Sequence, residues 1–259
     1  MRPTLLALLL ATLLPLSAQD RIAAVYLDPV GKPYFLLENA NLVTDNPLGN
    51  TVYAFFDSSL GMPDLVDVTN PFEIILYYRE YGQIILLDRT LSELGRIDLF
   101  AIDEITQPGP VARSFDNRIW VFDDWEYRLQ KFDNTGRLLQ QSNNLRLELD
   151  LEDAPDAILV DETRVALLYV EANRIALFRN TGRFLRWIDL PHTRNLGWNS
   201  PYLLAAAGPD SWWWHPDLPE VRPVTLPPDY PTQHPLLLRG NRLTGVDSTG
   251  TVLQEWSWQ

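Results

Sequence analysis

Two stretches of the sequence show the same order of residue types: Arg128–Gly136, which reads Arg-Leu-Gln-Lys-Phe-Asp-Asn-Thr-Gly, and Arg174–Gly182, which reads Arg-Ile-Ala-Leu-Phe-Arg-Asn-Thr-Gly. Asn and Asp side chains can bond to the backbone of a turn, and Gly can adopt a positive φ. Each stretch is therefore predicted to be a strand that enters a hairpin. Two further stretches align with them without gaps, Gln83–Thr90 and Arg242–Gly250.

The spacing of these turns indicates a structural repeat. The turn position recurs at residues 88, 133, 179 and 247, so that the first two steps are 45 and 46 residues. This period is typical of a four-stranded propeller blade. A second apolar strand precedes each of the first three turns: Ile74–Tyr78, Arg118–Phe122 and Arg164–Tyr169. The last step is longer, and we expect it to hold a degenerate unit with short strands at Tyr202–Ala207, Ser211–His215 and Val221–Leu226.

The repeat predicts an all-β fold consisting of a single β-propeller over residues 19–259. Six blades of about 40 residues are the preferred count, and five are the alternative. The last unit is one strand short, so we expect the N-terminal strand Ile22–Tyr26 to complete it and close the ring. With 20 Pro residues and strands throughout, no long helix is expected.

The pattern that runs from Asn173-Arg174-Ile175 to Gly182 resembles the repeat of NHL-type β-propellers. The resemblance covers residues 72–190 and returns at 241–250. The sequence departs from the pattern at Leu91, which replaces the turn glycine, and over residues 20–60, which lack the motif. The resemblance implies a propeller fold.

The first 18 residues read as a secretory signal peptide. Arg2 precedes the apolar run Leu5–Leu14, and the small residues Ser17 and Ala18 follow it. We expect cleavage after Ala18 and a periplasmic protein, with an extracellular location also open. An uncleaved anchor is the alternative, because Leu16 is larger than the residue preferred three places before the cut.

Composition excludes several classes of protein. The chain has 21 Lys and Arg against 34 Asp and Glu, a formal net charge of −13, so it would repel nucleic acid. It has no Cys, which excludes disulfides, zinc thiolate sites and Cys nucleophiles. A homo-oligomer is not expected.

No motif for a catalytic or cofactor site is present. The sequence lacks a Gly-x-Ser-x-Gly elbow, a phosphate loop and a Gly-x-Gly-x-x-Gly dinucleotide fingerprint. Its three His residues lack the close spacing of a local metal site: His192, His215 and His234. An acidic cluster could hold Ca²⁺, although a solvated rim is preferred for it: Glu148, Asp150, Glu152, Asp153 and Asp156. The segment 45–50 reads as an ordinary turn. We therefore predict no catalytic, cofactor or metal-binding residues.

Aromatic residues are the stronger signal for binding. Of the nine Trp residues, Trp212, Trp213 and Trp214 are consecutive, so a strand there would present an indole on both faces. Packing between blades competes with a binding role at this strand. Trp125 and Tyr127 occur at a hairpin tip that is predicted to be one residue longer than its equivalents. We predict partner contacts at Trp125, Tyr127, Trp212 and Trp214.

The sequence favours a non-catalytic interaction module of the cell envelope that binds a protein partner. In size, signal sequence and absence of Cys, the chain resembles the small periplasmic propellers of Bacteroidota that plug the outer-membrane translocon of type IX secretion. The resemblance implies a steric role in protein secretion. The alternative is an extracytoplasmic glycan-binding protein, hydrolase or lyase with its site at the mouth of the propeller channel.

Overall fold

A computed structural model describes residues 22–44, 53–151, 153–226, 236–239, 242–246 and 252–257. The predicted signal peptide lies outside these residues, as do the turn at 45–50, His234 and Gly250. No helix in the described part of the chain is long and apolar enough to cross a membrane. The one α-helix described there, α1 (Leu145–Leu149), has five residues, and three 3₁₀ helices are shorter still: Arg79–Tyr81, Leu99–Ala101 and Gly208–Asp210.

Strands form almost all of the regular secondary structure of the described residues, and the first three sheets contain four strands each. The first sheet contains β1 (Ile22–Leu27), β2 (Pro33–Leu37), β3 (Leu42–Thr44) and β4 (Tyr53–Phe55). The second contains β5 (Leu65–Asp67), β6 (Ile74–Tyr78), β7 (Gln83–Leu87) and β8 (Glu93–Asp98). The third contains β9 (Pro108–Arg113), β10 (Ile119–Asp123), β11 (Arg128–Phe132) and β12 (Leu138–Gln141).

Three more sheets follow along the chain. The fourth contains β13 (Ala157–Val160), β14 (Arg164–Tyr169), β15 (Arg174–Arg179) and β16 (Phe184–Asp189). The fifth contains β17 (Leu196–Asn199), β18 (Tyr202–Ala205), β19 (Trp212–Trp214) and β20 (Arg222–Pro223), and it confirms the degenerate unit. The last contains three strands, β21 (Leu236–Arg239), β22 (Arg242–Val246) and β23 (Val252–Ser257).

Each sheet is an antiparallel meander in which every strand pairs with the next one along the chain. The first strands of neighbouring sheets contact one another: β5 contacts β9, β9 contacts β13, β17 contacts β21, and β21 contacts β1. These strands therefore line a central channel, and the sheets radiate from it. The chain is an all-β single propeller, as predicted.

Five of the sheets are complete four-stranded blades, so the preferred count of six was wrong and the alternative of five is confirmed. The three-stranded sheet lies between the fifth sheet and the first, since β21 contacts β17, β18 and β1. The expectation that the N-terminal strand completes the last unit was wrong. Instead, β1 pairs with β2 and is the innermost strand of the first sheet, with Val25 opposite Phe35. In the described residues, β1 and β21 are in contact but belong to different sheets.

The hydrophobic core lies between blades and not within them. On β6, Ile74 belongs to a buried cluster shared with Tyr34 and Leu42 of the first blade, whereas the adjacent Ile75 belongs to a cluster shared with Phe132 of the third blade. Successive strand residues point to opposite faces of a sheet, so both faces of this blade are buried. Two further clusters repeat the arrangement between the third and fourth blades and between the fourth and fifth.

The turns between the third and fourth strands confirm the repeat that defined the fold. Gly136 and Gly182 have φ angles of 82° and 76°, in the left-handed region that favours glycine. Leu91 takes the equivalent position in the second blade with a φ of 60°. Its side chain is buried in the cluster between the first two blades, and this burial offsets the strain of a non-glycine residue at positive φ.

Aspartate side chains hold two of these turns together. The Oδ1 atom of Asp133 accepts hydrogen bonds from the backbone N–H groups of Thr135 and Arg137, at 3.0 and 3.1 Å. The Thr135 hydroxyl also donates to it at 2.6 Å, and these bonds hold the pKa of Asp133 well below its ordinary value. Asp88 makes the same bonds to Thr90 and Ser92. The third turn has Arg179 at this position and keeps the backbone bond from Gly182 to Arg179 at 2.9 Å.

We predict that Gly182→Val lowers the free energy of unfolding by about 1–2 kcal/mol, because valine is strained at a φ of 76°. Gly95→Val is the matched control, since Gly95 lies in β8 with nothing within 4 Å of an added Cβ and valine favours strands. Urea unfolding of both variants measures the difference. Equal stabilities would contradict the assigned turn geometry.

Candidate functional site

The two ends of the ring carry different loops. One end, here called the upper face, carries the hairpin loops between second and third strands and the connections from one sheet to the next. From the end of the first blade to the second hairpin of the fourth blade, the upper-face loops are 56–64, 79–82, 99–107, 124–127, 142–156 and 170–173. The opposite end, the lower face, carries the loops between first and second strands and between third and fourth strands.

A repeated backbone hydrogen bond builds the upper face. In the second, third and fourth blades, the hairpin between the second and third strands ends on a residue with left-handed φ: Gly82 at 58°, Tyr127 at 52° and Asn173 at 49°. The carbonyl of that residue accepts the N–H of the residue that follows the fourth strand or its short extension. The three bonds are Leu99 to Gly82 at 2.8 Å, Leu145 to Tyr127 at 2.7 Å and Leu190 to Asn173 at 2.7 Å. Each connection between blades is thereby tied to the neighbouring hairpin.

The hairpin tip at residues 124–127 has the same length as its equivalents. The prediction of an extra residue was wrong, because Asp123 ends β10 at the position that Tyr78 and Tyr169 occupy in β6 and β14. Asp123 is fully buried. Its Oδ1 accepts the N–H groups of Trp125 and Glu126 at 2.9 Å each, and these bonds shape the tip.

The two aromatic residues of this tip differ in their surroundings. Trp125 is 67% exposed. Tyr127 is half-buried: its ring lies edge-on to Phe122 with centroids 6.1 Å apart, and the Arg146 guanidinium stacks over it at 4.3 Å. The surface that Trp125 offers is therefore available to a partner, while Tyr127 mainly supports the tip.

The base of the tip is fixed by an ion pair and a close backbone approach. The Nη2 atom of Arg79, in the second blade, lies 2.5 Å from the Oδ2 atom of Asp124, in the third blade. A Cβ at Gly109 would lie 2.0 Å from the Asp124 carboxylate, so only glycine fits there. Burial raises the pKa of Asp124, and Arg79 opposes that shift.

The upper face combines exposed apolar side chains with a strong excess of acidic residues. The exposed apolar residues are Phe56, Met62, Tyr81, Phe100, Trp125 and Leu147. The acidic residues described in the same segments are Asp57, Asp64, Glu80, Asp103, Glu104, Asp124, Glu126, Glu148, Asp150, Asp153, Asp156 and Glu171. Against them stand the two arginines of these segments, Arg79 and Arg146. The surface suits a partner that is both basic and apolar.

Trp212 and Trp214, predicted as partner contacts, are buried. Their exposed fractions are 2% and 0%, and both pack into the cluster between the fourth and fifth blades. Trp212 and Trp214 lie on the opposite face of the strand from Trp213, as predicted, but the fourth blade covers that face. Neither ring can contact a partner in the folded blade.

The lower mouth of the channel brings together residues that are far apart in the sequence. A cavity of about 510 Å³ is lined there by polar groups of the second to fifth blades, including Thr69, Ser114, Thr163 and Ser200. Asp161, His215 and Asp217 line the same cavity. Of the described residues, these three alone bring three potential metal-ligand atoms within 4.8 Å of one another. The predicted acidic calcium cluster forms no such group among its described members.

Hydrogen bonds and burial define the state of His215. Its Nδ1 accepts the backbone N–H of Asp217 at 3.1 Å and lies 3.5 Å from the Asp217 carboxylate. Its ring also stacks near Tyr202, with centroids 4.9 Å apart. Burial lowers the pKa of His215, while the charges of Asp217 and Asp161 act in the opposite direction. The imidazole is therefore neutral near pH 7 and able to act as a ligand or a base.

A second cavity of about 390 Å³ extends along the channel from its upper mouth and is lined by residues of the first strands. Trp198, which is 45% exposed, lines it together with Asp64, Arg79 and Asp156. The sequence gives no local signal for this group, because its members come from four different segments. His192, at the same end of the ring, lies beside Asp210, whose carbonyl is 2.9 Å from its Nε2.

Comparisons with known proteins support the fold. A scan of protein-family models gives no match, and neither does a search of curated proteins. Among solved structures, the chain is similar to a streptogramin B lyase at 15% identity and a TM-score of 0.61, over 94% of this chain and 85% of that one. For a catalytically inactive virginiamycin B lyase from Staphylococcus aureus with quinupristin, the identity is 13%, the TM-score 0.59 and the coverages 94% and 87%.

A chain of the mitotic checkpoint complex is also similar, at 15% identity and a TM-score of 0.57, over 92% of this chain and 74% of that one. At these identities the similarity shows the fold alone. The neighbours include both enzymes and a member of a protein assembly, so the β-propeller is compatible with an interaction module.

We predict different effects of the two tip aromatics on stability. Trp125→Ala should change the free energy of unfolding by less than about 0.5 kcal/mol, because the ring is exposed. Tyr127→Ala should lower it by about 2 kcal/mol, since it removes packing against Phe122 and Arg146. Chemical denaturation of both variants tests the assignment, which fails if Trp125→Ala is the more destabilising.

We predict that His215 titrates below its ordinary pKa of about 6.5. Asp217→Asn should lower this pKa further, because it removes a negative charge that favours the imidazolium. Arg164→Gln should raise it, because the positive charge of Arg164 opposes protonation. Proton NMR of the imidazole ring across pH 4–8 measures all three proteins, and unchanged values in both variants would contradict the described cluster.

Proposed function

We propose that this chain is a non-catalytic interaction module that docks on a protein partner through its upper face. The observation that carries the proposal is the group of exposed apolar side chains set among acidic residues on the loops of one end of the ring. Aromatic side chains are the usual anchors of protein interfaces, and Met is also enriched there. A rigid ring presents them with little loss of conformational entropy on binding.

The charge of the upper face specifies the partner further. Acidic loops attract a basic surface over a range set by the ionic strength, and they repel a second copy of the same face. The partner is therefore a different protein, with basic side chains around apolar pockets. Its association with this chain weakens as salt concentration rises.

The predicted signal peptide supports an envelope location, periplasmic in the first instance. The most specific function that we propose is that of a plug of a secretion translocon, in which the ring blocks a pore sterically. That version rests on the resemblance in size, signal sequence and absence of Cys. It requires no catalytic residue.

A second candidate function is an extracytoplasmic glycan-binding protein, hydrolase or lyase with its site at a channel mouth. The exposed Trp198 favours it, because an indole that shares a concave cavity with Asp64, Arg79 and Asp156 can stack on a sugar ring while polar groups bind its hydroxyls. A glycan screen with wild-type protein and Trp198→Ala separates the candidates. Binding that depends on Trp198 would favour this second function.

The docking proposal is tested with two matched pairs of substitutions. Trp125→Ala with Leu147→Ala removes exposed apolar groups from the upper face, and Phe72→Ala with Phe115→Ala removes exposed apolar groups from the lower face. Co-purification from native envelopes should fall in the upper-face variant, with a loss of affinity of roughly thirtyfold or more if one anchor contributes about 2 kcal/mol. The lower-face variant should bind as wild type does.

Stability measurements complete the test. All four substituted side chains are exposed, so both variants should melt close to the wild-type temperature. Loss of the partner only in the lower-face variant would place docking on the opposite face. Retention of the partner by both variants would overturn the proposal for these loops.

A further inference from the structure

The strongest unassigned group of side chains lies at the lower mouth of the channel, on the face opposite the proposed docking surface. Asp161 follows β13 in the fourth blade, whereas His215 and Asp217 follow β19 in the fifth. One imidazole and two carboxylates converge there from two blades, with potential ligand atoms within 4.8 Å of one another. Nitrogen and oxygen donors of this kind are the ligands that Zn²⁺ takes from His, Asp and Glu.

The carboxylate of Asp161 is buried and has one oxygen without a hydrogen bond. Its side chain is 92% buried, being 8% exposed. Its Oδ1 is held by the backbone N–H groups of Thr163 at 2.7 Å and Arg164 at 2.6 Å. Its Oδ2 is buried and makes no hydrogen bond. A buried carboxylate oxygen without a hydrogen bond is costly, and a bound cation would remove that cost.

The guanidinium of Arg164 is the positive charge next to these two carboxylates in the structure. Its Nη1 lies 3.6 Å from the free Oδ2 of Asp161 and forms an ion pair with Asp217. The guanidinium thus lies between the same two carboxylates that a metal ion would bridge. The 3.6 Å separation is too long for a hydrogen bond, so Arg164 balances the charge of Asp161 without satisfying its oxygen.

We propose that Asp161, His215 and Asp217 bind a divalent transition-metal ion such as Zn²⁺, which displaces Arg164 and links the fourth blade to the fifth. Asp161 is pre-positioned by its backbone hydrogen bonds. Asp217 is 68% exposed, so that once Arg164 is displaced its side chain has room to rotate and to bring the donor atoms to the shorter separations of a zinc site. The remaining coordination positions face the cavity of about 510 Å³, where water or a ligand can complete the shell.

Arg164 provides the sharpest test, because a metal site and a salt-bridge cluster respond to its removal in opposite ways. Untagged, chelator-treated protein is titrated with Zn²⁺ by calorimetry at pH 7.5. Wild-type protein should bind one ion per chain, and Arg164→Gln should bind it about tenfold more tightly, because the competing cation is gone. Asp161→Asn and His215→Gln should each weaken binding at least tenfold.

His192→Gln is the matched control, since it removes a histidine at the opposite end of the ring and should leave Zn²⁺ affinity unchanged. Zn²⁺ should also raise the melting temperature of wild-type protein and not that of Asp161→Asn, because ions that bind only the folded state stabilise it. Circular dichroism verifies that each variant is folded. Absence of Zn²⁺ binding to both wild type and Arg164→Gln would overturn the proposal and leave a salt-bridge cluster.

Binding that is lost equally in His192→Gln would also overturn it, because the ion would then be held elsewhere. None of these outcomes depends on the upper face. The docking proposal and the metal proposal can therefore fail independently.

Discussion

The burial of both faces of each blade is the constraint on which this structure depends. Ile74 and Ile75 are adjacent in β6, and each is fully buried against a different neighbouring blade. A single blade would expose two apolar faces to water, so it cannot be stable by itself. The sheets must stack around an axis, and each blade acts as part of the core of the next. Function is then confined to the loops at the two ends and to the channel between the first strands.

The two ends have acquired different chemistry because different loops build them. At the upper face, a left-handed residue at the end of each hairpin accepts the N–H of the following connection, and this bond holds the loops while their side chains vary. Gly82, Tyr127 and Asn173 occupy that position with the same backbone and different side chains. At the lower face, aspartate turns such as that of Asp133 carry the backbone bonds. The exposed apolar residues of the upper loops lie outside the core between blades, whereas some of the acidic residues, such as Asp124, also hold the loops in place. At the lower mouth, Asp161 and His215 lie close together.

The features that could be predicted from the sequence are those set by neighbouring residues. The positive φ of Gly136 and Gly182 could be predicted because each glycine directly follows an Asn-Thr pair at the end of a strand. The spacing between these turns then predicted the propeller fold. The tip length was misjudged because Asp123 replaces an aromatic residue at the end of β10 and looks like a loop residue. For Trp212 and Trp214, a partner role and packing between blades were both open, and the choice could not be made locally because their burial comes from the adjacent blade. His215 and Asp161 meet through the ring, and no local spacing records that contact.

In the proposed function, the upper loops of this propeller, and not its channel or lower face, form the contact with a protein partner. Hydrogen–deuterium exchange of the protein alone and in the complex isolated from native envelopes tests it most directly. We expect slower exchange in segments 79–82, 99–107, 124–127 and 142–151 when the partner is bound, with no change in the lower-face turns at 88–92, 133–137 and 179–183. Protection confined to those lower-face turns would contradict it.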